Sequence, residues 1–361
     1  MMNGKQLQIF FDFLRFCIGS AKDIPNSLKE ADWEELYAIA QKQCLVGVLF
    51  DGIKKLPAEH AGMKKELLLQ WMAENQMLEK ANVRLNDTAI QVSEWFRKKG
   101  FRTCILKGQG NTLMYPNPYS RTPGDIDIWV EGGDKRVISF VRSISPHEKA
   151  CYHHIEFPSY KGVEVEVHYR PSFLLCFWHN RKLQKYYERV KDEQFSHRVM
   201  LGEQGEVAIP TVEFNVIFQL THIFSHLMNE GIGLRQLLDY YYVLISDDLL
   251  LIRDRVQEEL KELGLWKFVG GIMYIMQEVF GVPASRLIVP PNEKYGRFVL
   301  NEVLEAGNFG RHDERNHFGK TQLGHNLQRV YRDIRLVKYF PAEAISEPIF
   351  RVWHFLWRKM H

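Results

Sequence analysis

A chain of 361 residues is long enough for two or three packed units around a sizeable core. With 45% hydrophobic and 13% aromatic residues and no repeat or low-complexity tract, it is not a disordered chain. Its 47 basic and 44 acidic residues leave a net charge of +3, too small to indicate a nucleic-acid partner.

The opening residues Met1-Met2-Asn3-Gly4-Lys5-Gln6 lead into an amphipathic stretch carrying Asp12 and Arg15, not the apolar run of a signal peptide. From Gln6 to about Lys99, apolar positions such as Leu36, Ile39, Leu67, Leu78 and Val83 recur at helical spacing, which predicts an N-terminal helical segment over 1–99. Lys99-Gly100 breaks that pattern. The run Cys104-Ile105-Leu106 reads as a strand ending at Lys107-Gly108, followed by a short helix-like piece over 111–115 and a loop over 116–124 dense in turn formers.

Next comes Gly124-Asp125-Ile126-Asp127-Ile128, two carboxylates one residue apart in an apolar, strand-like run. Alternate strand residues share a face, so Asp125 and Asp127 are expected on the same side, about 6 to 7 Å apart along the strand. A helix is predicted over 134–144. Two alternating runs, 151–157 and 163–168, flank the turn-forming cluster Pro158-Ser159-Tyr160-Lys161-Gly162 and read as a β-hairpin. In the second run Val163, Val165 and Val167 face one way, and Glu164, Glu166 and His168 the other. Of His153 and His154, alternation sends one to the acidic face.

After about Pro210 the strand signals fade. The runs 212–228, 233–245 and 249–280 are helical by period, which predicts a helical C-terminal domain over 210–361 behind a core over 100–209. The most apolar of these stretches, 268–282, is interrupted by Gln277 and Glu278 and is too short for a membrane span, so no membrane partner is expected. Cys17, Cys44, Cys104, Cys151 and Cys176 are scattered and form no Cys-x-x-Cys, which fits a reducing cytoplasm.

The middle third thus brings Asp125, Asp127 and one or both of Glu164 and Glu166 toward one sheet face. Like charges that close require cations, and oxygen donors select hard divalent ions, Mg²⁺ first and Mn²⁺ as the alternative. Two such ions roughly 3.5 to 4 Å apart suit in-line phosphoryl displacement.

These residues resemble the DNA polymerase β-type nucleotidyltransferases, whose pattern is a glycine turn after a strand, an Asp-x-Asp between apolar residues and a third carboxylate on a later strand. The closer resemblance is to a bacterial branch of uncharacterised nucleotidyltransferases. Leu106-Lys107-Gly108, Arg121-x-x-Gly124-Asp125-x-Asp127 and Glu166-Val167-His168 match its motifs, over about residues 101–170. The wider superfamily has Gly-Ser or Gly-Gly at the turn, where this chain has Lys107-Gly108-Gln109-Gly110.

The resemblance implies an α+β fold: a small mixed β-sheet nucleotidyltransferase core between the two helical parts. It implies transfer of an NMP from an NTP, ATP first, to a hydroxyl-bearing acceptor with release of pyrophosphate. Asp125 and Asp127 would hold both metals, and Glu166 would ligate the catalytic one and help deprotonate the acceptor. Lys107 would replace the superfamily hydroxyl with a point charge on the β- and γ-phosphates, and Gly108 would let the backbone approach. Arg121, a planar bidentate donor, suits a phosphate or a carboxylate of the site. His168 is expected to orient a carboxylate, touch the base or acceptor, or cap the strand.

Arg235 and Asp239, in Gly231-x-Gly233-Leu234-Arg235-x-Leu237-Leu238-Asp239, are expected either to line the nucleotide cleft or to form an i, i+4 surface ion pair. His222 and His226 have a zinc-compatible spacing without a third ligand and read as a packed helix face. The tail 351–361 mixes Trp353, Phe355 and Trp357 with Arg351, Arg358 and Lys359, a pattern read first as a packing terminal helix and otherwise as a membrane- or RNA-binding one. Two other functions fit the Asp-x-Asp: a metal-dependent glycosyltransferase, and a catalytically silent nucleotide-binding protein acting through a partner.

Overall fold

The computed structural model describes residues 4–57, 62–203, 205–313, 315 and 321–361. Residues 1–3 of the N-terminal lead-in lie outside the described residues. Helices α1 (Gly4–Ile18), α2 (Trp33–Lys42), α3 (Val46–Ile53) and α4 (Lys65–Lys98) come first. Asp32 caps α2 by accepting from the amides of Glu34 and Glu35, which satisfies two otherwise orphaned donors. At 34 residues, α4 is about 50 Å long. Its first half places Trp71 in the larger core, and its second half places Leu85, Ala89 and Phe96 in the core beneath the sheet.

The middle of the chain runs β1 (Thr103–Leu106), α5 (Gly108–Thr112), β2 (Ile126–Val130), α6 (Gly133–Ile144), β3 (His154–Tyr160), β4 (Val163–His168), α7 (Phe177–Ser196), β5 (Arg198–Leu201) and β6 (Gly205–Ala208). One sheet has the order β1-β2-β4-β3, and β5 and β6 form a separate antiparallel pair. In the larger sheet β1–β2 and β3–β4 are antiparallel and β2–β4 is parallel, so the sheet is mixed, as expected.

Helices make up the rest: α8 (Val212–Asn229), α9 (Leu234–Leu244), α10 (Asp248–Glu262), α11 (Trp266–Glu278), α12 (Glu293–Ala306), α13 (Gln322–Leu336) and α14 (Pro341–Met360). The chain is therefore α+β, with a small mixed sheet among many helices. Among the described residues no helix is long and apolar enough to cross a membrane.

Strand alternation divides two cores. Ile105, Ile126, Ile128, Val130 and the three valines of β4 pack beneath the sheet against α4 and α6. Cys104, Leu106 and Trp129 face the other way into the larger core, where Trp129 lies 4.6 Å from Phe195 and 5.7 Å from Phe214. Asp127, Glu166 and His168 share that second face.

Three local expectations shift. Strand β3 begins at His154 instead of residue 151. The hairpin turn contracts to Lys161-Gly162, both at positive φ, because β3 continues through Pro158 to Tyr160 across a register irregularity. The short helix begins at Gly108 instead of residue 111. Nothing in the sequence pattern singled out α7 or the β5–β6 pair.

Candidate functional site

At the end of β1 the chain turns sharply, with Lys107 at φ 45° and ψ −146° and Gly108 at φ 40°. A lysine in this region is strained and persists only where its surroundings hold it. Here the hold is electrostatic: Leu106 is the cross-strand partner of Asp127, and Lys107 Nζ lies 2.9 Å from Asp127 Oδ1.

Asp127 is also the strand partner of Glu166 on β4, and Trp129 that of His168. This register brings ligand atoms of Asp127, Glu166 and His168 within 4.8 Å of one another. His168 Nε2 lies 2.8 Å from Asp127 Oδ1 and 3.4 Å from Glu166 Oε2, and its Nδ1 lies 3.3 Å from the Arg170 carbonyl. Glu166, with a side chain 33% exposed, opens to a cavity, whereas Glu164 is exposed and outside the cluster. The acidic pair that meets across strands is therefore Asp127 and Glu166.

Burial works against every charge here, and the partners decide the outcome. Burial lowers the His168 pKa, but hydrogen bonds to Asp127 and Glu166 push it up to about 9. Burial likewise opposes the Lys107 ammonium, and Asp127, Asp125 and Glu166 hold its pKa above the ordinary value. Lys107 and His168 in turn hold the Asp127 carboxyl below the usual range despite its burial. Asp125, the last residue before β2, lines the same cavities but lies outside the close cluster. The charge of Asp127, then burial, raises its pKa to about 6. The negative charge is thus incompletely offset by Lys107 and His168, and the donors are carboxylate oxygens, a set that fits a hard divalent cation.

The structure places Arg121 away from solvent. Its Nε and Nη2 donate to Asp239 Oδ1 and Oδ2, each at 2.8 Å, and the Tyr115 hydroxyl donates to Asp239 Oδ1 at 2.7 Å. Asn82 of α4 fixes this loop by donating to the carbonyls of Tyr119 and Arg121 at 2.9 and 2.8 Å. The expected i, i+4 pairing of Arg235 with Asp239 at the surface does not form: both are buried, and Asp239 is taken by Arg121. Arg235 Nη1 donates to the Thr122 carbonyl at 3.0 Å, its Nε is buried without a partner, and among the described residues it has no ion pair. Burial, then the neighbouring Arg121, presses its pKa down. Such a cation favours an anion beside it.

Two cavities meet at Lys107 and Asp125. A small one of about 40 Å³ reaches Arg121, Arg235 and Asp239, and a larger one of about 700 Å³ reaches Glu166 and His168. His222 and His226 line the larger cavity, their rings 4.2 Å apart and His226 Nδ1 2.6 Å from Glu230 Oε1. Among the described residues they belong to no group of three metal-ligating side chains. His153 lies just before β3, where strand alternation does not apply, so both His153 and His154 approach His168, with ring centroids 5.3 Å away in each case.

The larger cavity is also lined by Arg311, Arg329, Arg351 and Arg358, none of which the sequence pattern placed there. The available signal was the seven-residue spacing of Arg351 and Arg358, which puts them on one helix face.

The sequence profile of a family described as "Uncharacterised nucleotidyltransferase" matches residues 29–281. No curated protein matches the chain. Among solved structures, an antigenic nucleotidyltransferase-like protein from Paracoccidioides brasiliensis is similar at 14% identity, with 59% of this chain and 96% of that chain covered and a TM-score of 0.31. The profile match takes in Lys107, the Asp-x-Asp, Glu166 and Arg235, and leaves α13 and α14 outside it.

Proposed function

The chain belongs to a family of uncharacterised nucleotidyltransferases, and on that premise we propose that it transfers an NMP from an NTP, ATP in the first instance, to a hydroxyl-bearing acceptor. The observation that carries this reading is the pairing of Asp127 with Glu166 across adjacent parallel strands, beside a cavity of about 700 Å³. Asp125, Asp127 and Glu166 would hold Mg²⁺, with Mn²⁺ as the alternative, and the ion would neutralise phosphate oxygens as charge moves to the leaving group. The acceptor oxygen bonds to the α-phosphorus, the bond to the bridging oxygen breaks, and pyrophosphate leaves with the electron pair. Glu166 takes the hydroxyl proton, since it faces the cavity and Asp127 is engaged by two cations. His168 positions both carboxylates. Arg235 and Lys107 supply cations for the triphosphate, while Arg121 and Asp239 brace the cleft wall.

The direct test is to incubate the protein with each labelled NTP in cell extract and ask whether label enters protein, RNA or a small molecule. A second reading draws on Lys107 and His168 already standing on Asp127 Oδ1: a silent member that binds nucleotide and acts through a partner. Nucleotide and metal binding without turnover on any extract fraction would support that reading instead.

Two further results are expected. Lys107→Ala should weaken NTP binding by about tenfold in titration calorimetry, the scale of one charge-assisted contact. Unchanged affinity would remove Lys107 from the phosphate site. Metal binding should depend on pH through Asp125: with a pKa of about 6 in the ion-free protein, a proton must leave for the ion to bind. Mg²⁺ or Mn²⁺ affinity should therefore rise with pH through about 6 and flatten toward pH 8, below the titration of His168 at about 9, and a flat profile from pH 5 to 8 would exclude Asp125 as a ligand.

A further inference from the structure

Helices α13 and α14 each bury one face and, among the described residues, leave an apolar row uncovered. Leu327, Val330 and Ile334 on α13, and Ile349, Val352 and Leu356 on α14, are exposed at the same i, i+3, i+7 spacing, with Ile334 66% and Val352 64% accessible. The inner face of α14 is satisfied by Phe350 and Trp357, which pack into the two cores, so the outer row is not spare core. Between the helices lies a groove of about 830 Å³ whose lining combines apolar residues, Val330, Val352 and Phe355 among them, with Arg329, Arg351 and Arg358.

The charges have one sign on the outside. Residues 321–361 hold seven basic and three acidic residues, an excess larger than the net charge of +3 of the entire chain. Glu343 and Glu347 are buried and Asp333 is half-buried, whereas Arg329, Lys338, Arg358 and Lys359 are exposed.

This combination discriminates among occupants. A second copy of the same face would set arginine and lysine against arginine and lysine, with no exposed carboxylate of the two helices to pair them. Single-stranded nucleic acid favours aromatic platforms, and these rows are mostly aliphatic. Exposed aliphatic rows edged by cations match the boundary of an anionic leaflet, where acyl chains take the side chains and phosphates take the arginines and lysines.

We propose that the α13–α14 pair is a docking face for an anionic lipid bilayer, lying in its surface without crossing it. Arg329, Arg351 and Arg358 line both the outer groove and the large inner cavity, so docking turns that cavity toward the leaflet. Both helices lie outside the family match, and the inference holds whether or not the chain transfers nucleotides.

The test is co-sedimentation of the full chain with phosphatidylglycerol-containing vesicles against pure phosphatidylcholine vesicles. The protein should pellet with the anionic vesicles at low salt and be released as ionic strength rises. Ile349→Glu/Val352→Glu and, separately, Arg358→Glu/Lys359→Glu should each weaken binding by about tenfold or more, with unaltered thermal melts because all four side chains are exposed. Failure to pellet with anionic vesicles, or equal pelleting of both variants and the parent, would overturn the proposal. So would light scattering that shows a dimer dissociated by Ile349→Glu, or retention on RNA without vesicle binding.

Discussion

Asp127→Asn should abolish nucleotide transfer, a fall of at least ~10³-fold, because the ion it is proposed to help hold would contribute several kcal/mol at the transition state. The same change should lower stability. Asp127 Oδ1 is the shared partner of Lys107 and His168, and neutralising it leaves the buried His168 and the half-buried Lys107 facing an amide. Breaking a buried pair costs about 3–5 kcal/mol, and the 17% exposure of the Lys107 side chain argues for the lower end. Glu166→Gln separates the two effects. With 33% of its side chain exposed it should lose transfer to a comparable degree while shifting stability by only about 1 kcal/mol. Consumption of labelled NTP and thermal melts, measured side by side, check both, and Mg²⁺-dependent transfer persisting in both variants would exclude the two-metal mechanism.

Arg121→Met should destabilise the protein by about 3–5 kcal/mol, since it strands the Asp239 carboxylate among buried groups with only the Tyr115 hydroxyl and the more distant Arg235 to answer it. Arg121→Met/Asp239→Leu should recover most of that loss, because removing both charges also removes the cost of desolvating them. Denaturant titrations of the parent, both single variants and the pair give the coupling directly. If Arg121→Met left the unfolding midpoint in place and instead lowered NTP affinity, Arg121 would be a phosphate ligand and not a brace.

The two acidic positions that meet were legible because their signals are local. Asp127 and Glu166 each sit in a strand whose period-2 alternation is written in neighbouring residues: Ile126 and Ile128 flank Asp127, and Val165 and Val167 flank Glu166. The turn at Lys107 was legible as a turn, but not the direction of its side chain, which depends on a positive φ at a residue type that seldom adopts one. Strand β3 overran its expected end because proline at residue 158 is compatible with an outer strand, and β3 stands at the sheet edge.

From its order of residues alone, this chain already determined an α+β architecture, a carboxylate-bearing strand pair and helical flanks, since each follows from the period of side chains a few positions apart. Tertiary structure decided the partners. Arg121 meets Asp239 across 118 residues, and Asp239 is thereby withheld from Arg235 on its own helix. It also decided which apolar rows are covered: the period of α13 and α14 marks two amphipathic helices, but only packing shows that Phe350 and Trp357 face inward while Ile349 and Val352 do not. Such choices depend on the free energy of whole surfaces brought together, and no window of neighbouring residues contains both sides.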